Sequence, residues 1–222
     1  LTALLKPPTI DWEIRSERRH FVHSKVMAWV AFDRMIRGVE KYGLDGPVER
    51  WRALRQRARD EIDGRGVTNG HFTQYYGTDE VDASLLVLPA IGYCEPDDPR
   101  MLATVERIER TLMVDGLLHR YRAETGVDGL AGTEHPFLAC SFWLVEQYAR
   151  TGRLDDAESL LDRLCGVAND LGLLSEEYDV HDQRQAGNMP QAFSHLALVR
   201  AADALAAARA LRDAGERGRG TS

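Results

Sequence analysis

Three carboxylates, a hydroxyl and a phenol fall within five consecutive positions at Ser175-Glu176-Glu177-Tyr178-Asp179. A second acidic site, Asp11-Trp12-Glu13, lies near the opposite end of the sequence. Two carboxyl groups over one concave face suit glycoside hydrolysis. One, kept protonated, gives its proton to the leaving oxygen; the other, ionised, attacks or activates water. Glu13 follows Trp12, an indole that can stack on a sugar face and desolvate the acid. A carboxyl beside apolar surface has its pKa pushed up, as a general acid requires. Each stretch also has a plain reading: 175–179 fits a solvated acidic loop, and Glu13 fits a surface acid paired with Arg15, Arg18 or Arg19.

Other residues add to this chemistry or leave it unchanged. Arg120-Tyr121-Arg122 offers a planar donor suited to sugar hydroxyls or a carboxylate, or else a solvated loop arginine. His23 fits either a site group at a helix mouth or a structural histidine. Tyr75 and Tyr76, after the turn signal Asn69-Gly70, fit the lining of a sugar pocket. The histidines, His181 and His195 among them, lack metal-ligand spacing, and the nucleophile elbow, phosphate loop and dinucleotide fingerprint are absent. No metal and no cofactor are expected.

The elements that must position these residues read as helices throughout. Helix 24–42 is apolar over most of its circumference and is expected to be buried on most sides. Helix 47–63 carries one stripe of Val48, Trp51, Leu54, Ala58 and Ile62 with arginines opposite, so it is an outer helix. The alternation continues: 82–91 inner, 98–112 outer with a stripe of Leu102, Val105, Ile108 and Leu112, 136–148 inner, 154–171 outer, 190–211 inner. The spacing predicts about seven alternating helices, a helical-pair repeat, with no strand and no internal domain boundary. Inner-to-outer turns are short, whereas the connections 64–81, 114–135 and 172–189 are long. Antiparallel pairing puts every long connection at one end, and long loops in compact domains are usually functional. Glu13 and Glu176 are thereby delivered to one face.

Composition sets the outer limits. The net charge of −7 over 222 residues argues against a nucleic-acid partner, which would call for a basic face. No apolar run approaches the roughly 18 residues of a membrane span. Cys94, Cys140 and Cys165 each sit in apolar segments and read as buried thiols of a reducing compartment, so a cytoplasmic location is expected. The sequence opens on Leu1 rather than Met and is expected to be a piece of something longer, and the tail from Glu216 is expected to be disordered.

Several of these stretches together resemble the bacterial branch of the glucoamylase-like family, glycoside hydrolase family 15. They are Trp12-Glu13-Ile14-Arg15, the run from Phe21 through Val22-His23-Ser24-Lys25 to Trp29, Asp82-Ala83-Ser84-Leu85-Leu86, Phe137-Leu138-Ala139-Cys140-Ser141-Phe142-Trp143, Ser175-Glu176-Glu177-Tyr178-Asp179 and Gln191-Ala192-Phe193-Ser194-His195. The resemblance implies an all-α fold, an incomplete (α/α)6 barrel forming one partial catalytic domain over residues 1–222. Residues 1–10 are an atypical lead-in, 11–213 the barrel segment and 214–222 a tail; the first five helices of the family barrel have no counterpart. It implies inverting hydrolysis of α-glucosides, with Glu13 as general acid and Glu176 as general base, and with Trp12, Arg120 and Tyr121 binding the sugar. In an inverting enzyme the two carboxyl groups stand about 6.5–9.5 Å apart. A glucoamylase-type activity on maltooligosaccharides is the first expectation. A trehalase of the same family is the alternative, and a helical-repeat fragment that only binds is a third. The open ends of such an arc are expected to expose apolar flanks.

Overall fold

A computed structural model describes residues 18–123 and 134–219. The chain packs as two compact units, Leu1–Ile108 with Arg122–Gly132, and Glu109–Tyr121 with Thr133–Ser222. Six α-helices make up most of the described residues. None of them is long and apolar enough to cross a membrane.

In the first unit, α1 (Val22–Tyr42) packs on α2 (Val48–Arg65). Gly43 ends α1 in the left-handed conformation, φ +66, and donates its N–H to the Val39 carbonyl, a stop that glycine accepts without steric cost. Buried Asp33 of α1 is ion-paired with Arg37 and with Arg55 of α2, each at 2.9 Å. The expectation that α1 is buried on most sides is corrected. Its buried residues Val22, Lys25, Val26, Trp29, Asp33 and Ile36 form one stripe, while Met27 and Met35 are 44% and 38% exposed. Apolar composition reports what a helix can bury, not how many neighbours it meets.

The expected inner helix at 82–91 is also corrected. It is a 3-10 helix, Ala83–Val87, followed by turns. Asp82 accepts the Ser84 N–H at 3.0 Å to start it, and Pro89 and Gly92 cut it short. Its place in the core survives, since Ala83, Leu85, Leu86 and Leu88 are buried. Helix α3 (Pro99–Leu112) opens where Asp98 accepts the Arg100 N–H. Its buried stripe is Met101, Val105, Ile108 and Leu112. Leu102, expected in that stripe, is exposed.

In the second unit, α4 (Leu138–Arg150) is buried from Leu138 through Ala149 and packs against both α5 (Leu154–Gly166) and α6 (Ala192–Arg219). It is inner, as expected. Helix α5 buries Leu154, Ala157, Leu160 and Leu164. It stops before the expected 171 because Asn169 Oδ1 accepts the N–H groups of Leu171 and Leu173, folding the chain into a turn closed at Gly172. Helix α6 buries Ser194, Ala197, Ala201 and Leu205, yet Leu196 and Val199 stand 64% and 57% exposed. Apolar side chains thus stand exposed on one face of α1 and one face of α6.

Strands were not expected, and the described residues hold three two-stranded antiparallel hairpins. They are β1 (Val67–Thr68) with β2 (His71–Phe72), β3 (Met113–Val114) with β4 (Leu117–Leu118), and β5 (Glu177–Asp179) with β6 (Arg184–Ala186). Each falls in one of the three long connections. Asn69-Gly70 and Asp115-Gly116 close the first two with positive φ at all four positions, the two-residue turn that matches strand twist. The cysteines are free thiols; Cys140 is buried, but Cys165 is exposed, contrary to the sequence reading.

Candidate active site

The backbone around Glu176 is fixed before its side chain is considered. Its N–H donates to the Asn188 carbonyl at 2.9 Å, and its carbonyl accepts the Leu138 N–H at 3.0 Å. The next residues form β5, which pairs with β6 on one edge and meets Phe137 on the other. Behind the strand, Ser194 Oγ donates to the Ser175 carbonyl at 2.7 Å, and Leu174 N donates to His195 Nε2 at 3.1 Å. The Phe137 N–H donates to the Leu118 carbonyl, and the Leu118 N–H donates to Ser141 Oγ. Within the second unit, the β3–β4 and β5–β6 connections therefore meet at the entries to α4 and α6. Satisfying backbone donors in this way is what lets irregular chain lie against a buried helix.

Glu176 Oε2 accepts two hydrogen bonds from Asn188, at 3.2 Å from the main-chain N–H and 2.9 Å from Nδ2. Among the described residues Oε1 accepts none. Gly187, φ +72, runs so close that an added Cβ would lie 2.9 Å from Oε2. The loop is shaped around this carboxylate.

Glu177 is oriented differently. Its carboxyl lies 3.7 Å from Arg120 Nη2. Burial pushes its pKa above the usual carboxylate range, and the Arg120 charge only partly offsets this. Asp179 accepts the main-chain N–H groups of Asp182 and His181 and sits 3.2 Å from Arg184. Those bonds, the one from Asp182 first, hold its carboxyl below the usual range. Asp179 thereby closes its own hairpin.

Arg120 lies beside this strand. Its Nε and Nη2 donate to Glu134 at 3.3 and 2.5 Å. Its guanidinium lies 5.3 Å from the Phe137 ring centre. Burial alone would lower the arginine pKa, but the carboxylates of Glu134 and Glu177 outweigh it and the net shift is upward. Tyr121 is 2% exposed, and its hydroxyl donates to Glu134 Oε1 at 3.0 Å. The structure thus brings Arg120, Tyr121 and Glu176 into one unit, with Tyr121 beneath the surface. Trp12 and Glu13 lie outside the described residues.

Sequence reasoning missed Glu134. Fourteen positions separate it from Arg120, a gap no helical or strand period would flag. The available signal was its place, the last acid of a long connection, two residues before Pro136 at the mouth of an inner helix. In the first unit, Tyr75 meets Phe21 edge-on, and Tyr76 stacks on His20 at 5.4 Å. His23 is half-buried in the first turn of α1.

The helical architecture has close counterparts among solved structures. A wild-type glycosidase superposes with a TM-score of 0.74 at 22% identity, covering 92% of this chain and 57% of that one. A bacterial glucoamylase complexed with acarbose superposes at 0.65 and 15% identity, covering 82% of this chain and 32% of that one. The fold is accordingly all-α and of the (α/α)6-barrel type, of which the chain spans part. A family model described as glycosyl hydrolases family 15 matches residues 6–203. The chain belongs to this family. Trehalase of Mycolicibacterium smegmatis is 44% identical over 191 residues, 86% of this chain and 29% of that protein. Trehalase of Thermoplasma volcanium is 41% identical over 202 residues, 90% of this chain and 32% of that protein. The chain spans about a third of the length of the curated relatives it matches.

Proposed function

We propose that the protein is an inverting α-glucoside hydrolase and that its substrate is α,α-trehalose. The observation that carries the substrate is the identity of 41–44% to proteins named trehalase from both bacterial and Thermoplasma sources. Those relatives favour trehalose over the maltooligosaccharides first expected from the sequence. The site geometry supports the reaction type. Glu176 is the general base: Asn188 holds Oε2, and Oε1 takes the proton of a water as that water's oxygen bonds to the anomeric carbon. Glu13 is the general acid, giving its proton to the glycosidic oxygen as the carbon–oxygen bond breaks. Arg120 binds sugar hydroxyls, Tyr121 supports it through Glu134, and Trp12 stacks on the sugar. The binding partner in this reading is the disaccharide substrate.

Inversion at one of two α-linked carbons has a distinctive product. Proton NMR of the first turnovers should show β-glucose and α-glucose released in equal amounts from trehalose, with maltotriose untouched. Release from maltotriose at a comparable rate would return the reading to a glucoamylase-type enzyme. Two α-glucose products would overturn the inverting mechanism.

Gly187 offers a second test of the base. Gly187→Ala places a methyl against Glu176 Oε2 in a left-handed backbone. The left-handed conformation should cost about 1–2 kcal/mol of stability. Turnover should fall further than that loss of folded protein accounts for, because the carboxylate must move. An unchanged turnover per folded molecule would show that Glu176 need not sit where Gly187 lets it.

A further inference from the structure

The Arg120 guanidinium stands between two carboxylates of unequal distance. Glu134 lies 2.5 Å from Nη2, and Glu177 lies 3.7 Å from the same nitrogen. Glu134 is itself held by the buried Tyr121 hydroxyl at 3.0 Å. Phe137, at the entry to α4, supports the guanidinium face. Glu177 is the immediate neighbour of Glu176, on a strand paired along both edges. An arginine is a long side chain with many rotamers, and a charged group at 3.7 Å will draw it in once a nearer competitor is removed. Nothing in the proposed reaction employs Glu134 directly, yet it lies nearer the guanidinium than Glu177 does.

We propose that Glu134 is a positioning residue: by outcompeting Glu177 for the Arg120 guanidinium, it keeps that guanidinium in the orientation that meets the sugar hydroxyls. The buried Tyr121 hydroxyl fixes Glu134, Glu134 fixes Arg120, and Arg120 meets substrate. Without Glu134 the guanidinium swings onto Glu177, beside the base. Its donors are then spent on Glu177, and the strand that follows Glu176 gains a competing ion pair. This inference rests on the α-glucoside hydrolase reading above.

The test uses the natural full-length protein and a double-mutant cycle on trehalose with Glu134→Gln, Arg120→Lys and the pair. Glutamine preserves volume and an acceptor for Tyr121 but removes the charge. Glu134→Gln should lower kcat/KM on the order of 10²-fold, the cost of misplacing a substrate-orienting group by about 1 Å. The added loss should largely vanish in the Arg120→Lys background, because the two act through one group. A merely structural Glu134 would move the melting curve and leave kcat and KM per folded molecule unchanged, and that result overturns the proposal. Losses that multiply independently, or a Glu134→Gln enzyme within twofold of the parent, also overturn it. If Glu134→Gln fails to fold, Glu134→Asp, which keeps the charge at shorter reach, should give a partial loss with the same dependence on Arg120. A parent that cleaves no α-glucoside overturns both this inference and the functional reading. An active parent with independent losses overturns the inference alone.

Discussion

Replacing Glu176 by glutamine should lower kcat on trehalose by roughly 10²–10⁴-fold, the usual contribution of a positioned general base, with the melting curve almost unmoved. The expectation follows from what the side chain does in the fold. Its backbone groups are bound by Asn188 and Leu138, and among the described residues its carboxylate is bound on Oε2 alone. Glutamine keeps an oxygen for Asn188 and cannot take a proton from water. Glu177→Gln is the informative companion. Glu177 lies beside Arg120, while the Asn188 donors go to Glu176, so its loss should leave most of the turnover intact. Equal losses in the two variants, or a Glu176→Gln enzyme retaining a tenth of the parental rate, would remove Glu176 from the role of base.

The largest expected loss of stability is at Phe142. It lies at the centre of α4, which packs on both α5 and α6, and it is wholly buried. Phe142→Ala should destabilise by about 3–5 kcal/mol, the sum of lost transfer energy and the cavity left behind. Against a typical margin of about 5–15 kcal/mol, this threatens folding at physiological temperature. Phe142→Leu, which keeps most of the volume, should cost less than half as much. Urea denaturation midpoints would show the difference. A loss below about 1 kcal/mol for the alanine variant would mean that α4 is not the core element its burial indicates.

Some of this molecule is plain in its sequence and some is not, for physical reasons. Helices α4 and α5 are legible because burial on all sides or along one stripe leaves a direct compositional trace. Helices α1 and α6 mislead, because their sequences are as apolar as α4 while their described neighbours cover one side. The segment at 82–91 reads as helix from Leu85-Leu86-Val87-Leu88, but four leucine-type residues cannot outweigh Pro89. The hairpins are too short for a two-residue period to show. Their turns were nonetheless written in Asn69-Gly70 and Asp115-Gly116. For the site, the motif around Glu176 was legible, and so were the long connections that carry Arg120 and Glu176. Glu134 was not, since a salt bridge across a loop leaves no period. Neither was the burial of Tyr121.

Two adjacent acids with different duties pose a problem of reading frame in space. Glu176, in the bend before β5, reaches Asn188, and Glu177, the first residue of β5, lies toward Arg120. Sliding the strand by one position would put one acid in the other's slot and leave Ser175 or Tyr178 in the slot vacated. The edge pairings to β6 and to Phe137, with the turn closed by Asp179, fix the strand lengthwise. A single-residue insertion anywhere from Ser175 to Asp179 would therefore act unlike a point substitution. It would leave every side chain of the motif present and shift those beyond it by one place, so that the acids are retained and their partners are lost.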